Sequence, residues 1–205
     1  MQKLITVFLF ISCLVLVSAC TATGVDPQLQ GDLKEYILSN EEFPLHDDLF
    51  FISSILDIDY QQLAQDNPEG VEQSLQENET SDGIRANYNH RDQVRQFSTK
   101  IHIYLKRFSS APDAEVFFSE NWLFSLDLND VSAQPIEMPP AQQAEFFEQI
   151  FREELESGDV AYAVRFQYEN LFAVVFATGD PELITAEFVQ ELASAQLDKL
   201  ATLAD

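Results

Sequence analysis

The spacing of apolar residues predicts five β-strands along the chain. Apolar and polar positions alternate over residues 97–108, which indicates a strand with one buried and one solvent-exposed face. Residues 160–168 and 171–178 predict two more strands, joined at Glu169-Asn170 by the two-residue connection of a β-hairpin. Residues 49–58 are rich in aromatic and β-branched residues and are interpreted as a buried strand. Residues 83–90 are interpreted as a fifth strand.

Apolar residues recur at helical spacing between and after these strands. A helix is predicted from Pro112-Asp113 onward, a strongly amphipathic one over residues 141–156, and a closing one over residues 185–203. Asp32 is expected to cap a short helix that ends near Leu38. Because consecutive strands with short connections favour antiparallel pairing, the predicted fold class is α+β, a single antiparallel sheet of about five strands with helices packed on one face.

The first twenty residues have the layout of an export signal. Lys3 supplies a short positive region, and the apolar run over residues 4–17 is shorter than the about 20 residues that a transmembrane helix needs. The sequence Val17-Ser18-Ala19-Cys20 resembles the lipobox of bacterial lipoproteins, in which the Cys receives a diacylglyceryl group and the chain is cleaved before it. This resemblance implies lipidation of Cys20, with palmitate among the acyl groups. The alternative is an ordinary secretory leader cut after Ala19.

This interpretation divides the 205 residues into three parts: a lipoprotein signal peptide (residues 1–19), a lipidated tether (20–31) and a single α+β globular domain (32–205). Two or three acyl chains anchor a domain stably to a membrane. The resemblance therefore implies an extracytoplasmic protein on the outer membrane or on the outer face of the cell membrane, depending on the envelope type. Thr21 is not the Asp that commonly retains lipoproteins of double-membraned bacteria at the inner membrane.

Composition and charge exclude several classes of protein. Hydrophobic residues make up 46% of the chain, with 17 Phe, which is ample for a core and excludes a disordered acidic tail. The net charge is −24, and becomes −25 when Lys3 leaves with the leader, which argues against nucleic acid as a partner. The two Cys residues, Cys13 and Cys20, both lie near the N-terminus, so the globular domain has no disulfide framework.

No catalytic or metal-binding motif stands out. The three His residues are scattered rather than spaced as zinc ligands: His46, His90 and His102. Asp57 and Asp59, or Asp127, Asn129 and Asp130, could hold Ca²⁺, but the second group lacks the Gly and the distal Glu of a calcium loop. There is no Gly-x-Ser-x-Gly motif or Gly-rich phosphate loop. The sequence therefore predicts no catalytic residue, metal or cofactor, and a non-enzymatic role is favoured.

Basic residues cluster in one stretch of the chain. Between Arg85 and Arg107 there are six basic residues and one acid, Asp92, a net charge of +5 against −30 for the rest of the mature chain. One interpretation is a patch for an anion or an acidic partner, formed by Arg85, Arg91, Lys100 and Lys106. The alternative, which is favoured, is that these strands only neutralise the acid-rich segments around them.

Aromatic residues at helical spacing also have two interpretations. The two sets are Phe117, Phe118 and Trp122, and Phe146, Phe147 and Phe151. Such stripes usually pack in a core. Alternatively, they line a groove for an apolar ligand between the helices and the sheet.

The globular domain is also similar to a class of uncharacterised bacterial surface lipoproteins. The similarity lies in Gly158-Asp159-Val160 leading into the hairpin, in the Phe-rich second strand, in the segment Ser110–Ala114 and in the end of the final helix, Ala-Gln-Leu-Asp-Lys-Leu. It spans about residues 43–203 and implies an antiparallel α+β domain with no known activity.

These expectations lead to one preferred function and two alternatives. The preferred one is a lipid-anchored envelope domain with a non-enzymatic binding or scaffolding role. The first alternative is a carrier of an apolar ligand held between the sheet and the Phe-rich helices. The second is a hydrolase that uses a pair of carboxylates.

Overall fold

The computed structural model describes residues 28–44, 49–58, 80–92, 99–119, 122–123, 126–127, 132–148 and 158–204. The predicted signal peptide, Cys20 with its predicted lipidation and most of the predicted tether lie outside these residues, as do His46, Phe151 and one of the six clustered basic residues, Arg95.

Nine strands and two α-helices occur in the described part of the chain. The strands are β1 (Phe50–Asp57), β2 (Thr80–His90), β3 (Lys100–Phe108), β4 (Trp122–Leu123), β5 (Leu126–Asp127), β6 (Ala133–Pro135), β7 (Gln143–Glu148), β8 (Val160–Tyr168) and β9 (Leu171–Gly179). The helices are α1 (Ala111–Ser119) and α2 (Ala186–Ala204), and two 3-10 turns precede them at Leu33–Tyr36 and Asn40–Glu42.

Seven of these strands form one antiparallel sheet in the order β1-β2-β3-β9-β8-β7-β6. Strand β9 therefore lies in the middle, and its hairpin partner β8 turns into it at Glu169-Asn170, where Glu169 has a positive φ of 52°. The short strands β4 and β5 pair with each other outside this sheet. The α+β class and the single antiparallel main sheet are confirmed, but the sheet has seven strands rather than about five.

The prediction of a helix over residues 141–156 is wrong for the residues that the structure describes, because the segment Gln143–Glu148 forms strand β7. Its side chains alternate between the two faces of the sheet. Ala144 and Phe146 join the larger apolar cluster on one face, and Phe147 joins a smaller cluster on the other. Pairing with β8 thus overrides the local helical periodicity, and the predicted stripe that would place Phe146 beside Phe147 does not form.

The prediction that the helices pack on one face of the sheet is also wrong. Helix α2 and the 3-10 turn at Leu33–Tyr36 bury their apolar side chains in the larger cluster, whereas α1 buries Phe117 and Phe118 in the smaller cluster on the opposite face. The reason lies in β9, which is apolar on both faces. Its alternate residues enter the two clusters: Leu171, Ala173, Val175 and Ala177 in the larger, and Phe172, Val174 and Phe176 in the smaller. A central strand of this kind needs a cover on each side.

The closing helix and the hairpin are confirmed with bounds close to those predicted. Helix α2 begins after Thr185, whose Oγ1 accepts a hydrogen bond from the Phe188 N–H at 3.1 Å and so caps the first turn. Phe188, Leu192 and Leu200 are buried, and Leu203 at its end is exposed.

The N-terminal segment is fixed to one end of the sheet. The Leu29 N–H donates to Asn170 Oδ1 at 2.8 Å, and Asn170 Nδ2 donates to the Phe108 carbonyl at 3.0 Å. Leu29 is itself buried. The last residues of the predicted tether therefore lie against the domain, at the end where β3 finishes and β8 turns into β9.

Candidate anion-binding face

One face of β2 and β3 carries polar and basic side chains in register. The antiparallel pairing sets Asn89 opposite Lys100, Asn87 opposite His102 and Arg85 opposite Tyr104. We refer to these six residues as the polar face of β2 and β3. The alternate residues of β3 (Ile101, Ile103 and Leu105) are fully buried on the α2 side of the sheet. The alternation predicted for residues 97–108 is thus confirmed over β3.

A chain of hydrogen bonds crosses this face from β1 to β3. Asn87 Nδ2 donates to Ser54 Oγ at 2.7 Å, which leaves Asn87 Oδ1 as the acceptor for His102 Nδ1, also at 2.7 Å. The His102 ring therefore carries its proton on Nδ1, and Nε2 presents a lone pair. Because Asn87 separates Ser54 from the imidazole, His102 is not placed to activate Ser54 as a nucleophile.

Burial is the main cause that lowers the pKa of His102, to about 4, and the charges of Arg85 and Lys100 lower it further. The imidazole is consequently neutral at pH 7. It stacks on the Phe176 ring with centroids 5.9 Å apart and an interplanar angle of 7°, and it contacts the edge of Tyr104 at 6.1 Å. These two rings hold the orientation that the bond to Asn87 sets.

Arg85 extends beside Tyr104, with its guanidinium carbon 5.9 Å from the ring centroid. Burial raises the pKa of the Tyr104 hydroxyl, and a hydrogen bond and the positive charge from Arg85 oppose that rise. Arg85 Nε is buried and has no hydrogen-bond partner in the described part of the chain. This N–H is therefore a buried donor whose partner the described residues do not supply.

The structure brings together two of the four residues predicted to form a basic patch. Arg85 and Lys100 lie on the polar face on either side of His102, and Lys100 is exposed. Arg91 is exposed beyond the end of β2. Lys106 lies farther along the same face but is only 6% exposed, with its ammonium 3.7 Å from the centroid of the Phe117 ring of α1. Lys106 is therefore not part of an exposed stripe.

Sequence reasoning missed His102 and Tyr104 as members of this site. Both lie at alternate positions between two basic residues of the same strand, which is a signal that could have identified them. The bond from His102 to Asn87 depends on the pairing of β2 with β3, and no local pattern encodes that register.

A second pair of cations lies beneath α1. The Arg165 side chain is 1% exposed, its Nε donates to Glu145 Oε2 at 2.8 Å, and its guanidinium carbon lies 4.5 Å from the Phe118 ring centroid. Lys106 makes the equivalent contact with Phe117. These cation–π contacts hold α1 on the sheet. Phe117 and Phe118 therefore pack in the core, and the described residues give no support to the groove for an apolar ligand.

The described residues also bear on two other features, a metal site and a membrane-spanning helix. They contain no group of three or more His, Cys, Asp or Glu side chains that could hold a metal ion. None of the helices in the described ranges is long and apolar enough to cross a membrane.

No protein-family model matches this sequence, and no curated protein sequence matches it. Among solved structures, the fold is similar to the extracellular domain of PknH from Mycobacterium tuberculosis, with a TM-score of 0.54 and 11% sequence identity. The match covers 86% of this chain and 99% of that chain. At this level of identity the likeness establishes the fold and not the function.

Proposed function

We propose that this protein is a lipid-anchored extracytoplasmic domain that binds an oxyanion-bearing ligand, such as a carboxylate or a phosphate, at the polar face of β2 and β3. The observation that carries the binding site is the placement of Arg85 and Lys100 on either side of His102, on one face of a body with a net charge of −24. The role is binding rather than catalysis.

The charge distribution is compatible with such a ligand. The acidic remainder of the protein repels anions, but this repulsion decays over a Debye length of about 8 Å at physiological salt. The Arg85 guanidinium and the Lys100 ammonium are charged hydrogen-bond donors on the same face. An oxyanion can accept charge-assisted hydrogen bonds from both groups, and such bonds are stronger than those between neutral groups.

The location rests on two features of different kinds. The sequence Val17-Ser18-Ala19-Cys20 resembles a lipobox, and the solved structure with a similar fold is an extracellular domain. The leader supplies the anchor in this proposal, and the fold is one that another protein uses outside the cytoplasm.

Fractionation of cells tests the anchor. The Cys20→Ser variant should move from the membrane fraction to the soluble fraction, because the acyl chains are its proposed attachment. The Cys13→Ser variant is the matched control, since Cys13 lies within the predicted signal peptide and its loss should leave the distribution unchanged. A Cys20→Ser protein that still sediments with membranes at high salt would contradict lipid anchoring.

Calorimetric titration with sulfate at low ionic strength tests the binding site. Arg85→Gln and Lys100→Gln should each weaken sulfate binding at least about fivefold, since one pair of unit charges 4 Å apart in water contributes about 1 kcal/mol. Lys34→Gln removes the same charge from an exposed site on the opposite side of the sheet and is the control. Equal effects from all three variants would reject the site and leave only a general charge effect.

A further inference from the structure

We infer that anion binding at the polar face of β2 and β3 is coupled to protonation of His102 Nε2, so that the site binds oxyanions more tightly as the pH falls. This inference rests on the proposed function and adds a regulatory property to the same site.

The geometry limits where a proton can enter. His102 Nδ1 already donates its proton to Asn87 Oδ1, so a second proton can bind only at Nε2. Nε2 makes no hydrogen bond within the described ranges, and the ring is held by Phe176 on one side and Tyr104 at its edge. Protonation would therefore create a new N–H donor without a change of rotamer.

The groups around the ring determine the direction of the coupling. The described charged groups that act on His102 are Arg85 from β2 and Lys100 from β3, and both are cations. Tyr104 is neutral at physiological pH, since the ordinary pKa of a Tyr hydroxyl is about 10 and burial raises the pKa of Tyr104 further. The contacts from β1, through Ser54 and Asn87, and from β9, through Phe176, carry no charge. In the free protein, protonation would thus add a third positive charge to two others.

A bound oxyanion removes the electrostatic repulsion that this third positive charge would meet. Its negative charge offsets the positive charges of Arg85 and Lys100, and one of its oxygens accepts a hydrogen bond from the protonated Nε2. Both effects raise the pKa of His102 from about 4 toward its ordinary value of 6.5. Binding then takes up a proton, and by linkage the affinity rises as the pH falls through the pKa of the bound form. A full return to 6.5 corresponds to about 30-fold tighter binding at pH 5.0 than at pH 7.5.

Sulfate is a suitable probe because it stays fully ionised between pH 5.0 and 7.5. We would titrate sulfate by calorimetry into the full chain in a non-ionic detergent, at several pH values and in two buffers with different ionisation heats. The difference between the buffers counts the protons taken up on binding. An affinity gain of about 30-fold and an uptake that approaches one proton near pH 5 are expected.

Two variants separate the role of His102 from the general loss of negative charge at low pH. His102→Gln cannot gain a proton, so it should lose the steep pH dependence and the proton uptake, whatever affinity for sulfate it keeps at pH 7.5. His90→Gln is the matched control. His90 lies on the other face of β2 with its Nδ1 accepting from the Asp92 N–H, a bond that a Gln oxygen can replace, so this variant should keep the wild-type profile. Thermal unfolding of each variant verifies that it is folded.

The possible outcomes distinguish the two proposals. Sulfate binding that tightens with falling pH in the wild type and in His90→Gln, but not in His102→Gln, supports the coupling. Sulfate binding with the same pH profile in wild type and His102→Gln overturns the coupling and leaves the binding site intact. Undetectable sulfate binding at every pH overturns the proposed function itself.

Discussion

The ion pair between Glu145 of β7 and Arg165 of β8 is expected to contribute strongly to stability. Glu145 lies directly opposite Arg165 and accepts its hydrogen bonds, and the Arg165 side chain is 1% exposed while that of Glu145 is 21% exposed. Glu145→Gln leaves the buried guanidinium without the carboxylate. Breaking a buried pair costs about 3–5 kcal/mol. Because Glu145 is partly solvated, we expect a loss at or just below the lower end of this range, about 2–3 kcal/mol of unfolding free energy.

Urea unfolding followed by circular dichroism measures this loss. With a slope of about 2 kcal/mol per molar urea for a small protein, the midpoint should fall by roughly 1 M. Glu148→Gln is the matched control, because it removes the same charge from an exposed position on the same strand and should change stability by less than about 0.5 kcal/mol. If the two variants unfold at the same urea concentration, the reasoning about the buried pair is refuted.

Three further predictions follow from burial, backbone conformation and charge. Lys106→Gln should lower the unfolding free energy by about 1–2 kcal/mol through loss of its buried contacts with α1, whereas exposed Lys100→Gln should leave it nearly unchanged; equal urea midpoints would show that the Lys106 contacts contribute nothing. Gly179→Ala should lower the melting temperature more than Gly158→Ala, because both have positive φ but only the Gly179 Cβ would meet the Thr99 backbone, at 2.9 Å. Light scattering should show a solubility minimum near the sequence pI of 4.1, where net charge no longer opposes association, and a clear solution there would contradict this.

The elements that could be predicted from sequence are those that local patterns determine. The β8–β9 hairpin is set by two apolar runs and the Glu169-Asn170 turn, and α2 by a long amphipathic stripe that follows Thr185. Strand β7 could not be predicted in this way, because Gln143–Glu148 is rich in helix-forming residues and becomes a strand only through pairing with β8.

The same limit applies to the candidate site. The cluster of basic residues is visible in the sequence, and so is the alternation that places Lys100 and Lys106 on one face of β3. Their different exposure is not visible, because it arises from the packing of α1 over only one end of that face. The link from His102 to Asn87 needs the register of two strands that are separated in the chain.

The hydrogen bonds of Asn170 have a consequence for the height of the site above a membrane. They fix the exit of the anchor segment at the Phe108 end of β3, whereas Lys100 begins that strand, about 27 Å away at the rise of an antiparallel strand. Gln28 follows Cys20, the proposed site of lipidation, by eight residues, and a fully extended segment of that length spans at most about 29 Å. When the domain stands on its exit end, the rigid sheet alone lifts Lys100 more than three Debye lengths, each about 8 Å, clear of the anionic lipid surface. In a lipid-anchored protein standing this way, the negative charge of the bilayer would neither repel an arriving anion nor compete for Arg85 and Lys100.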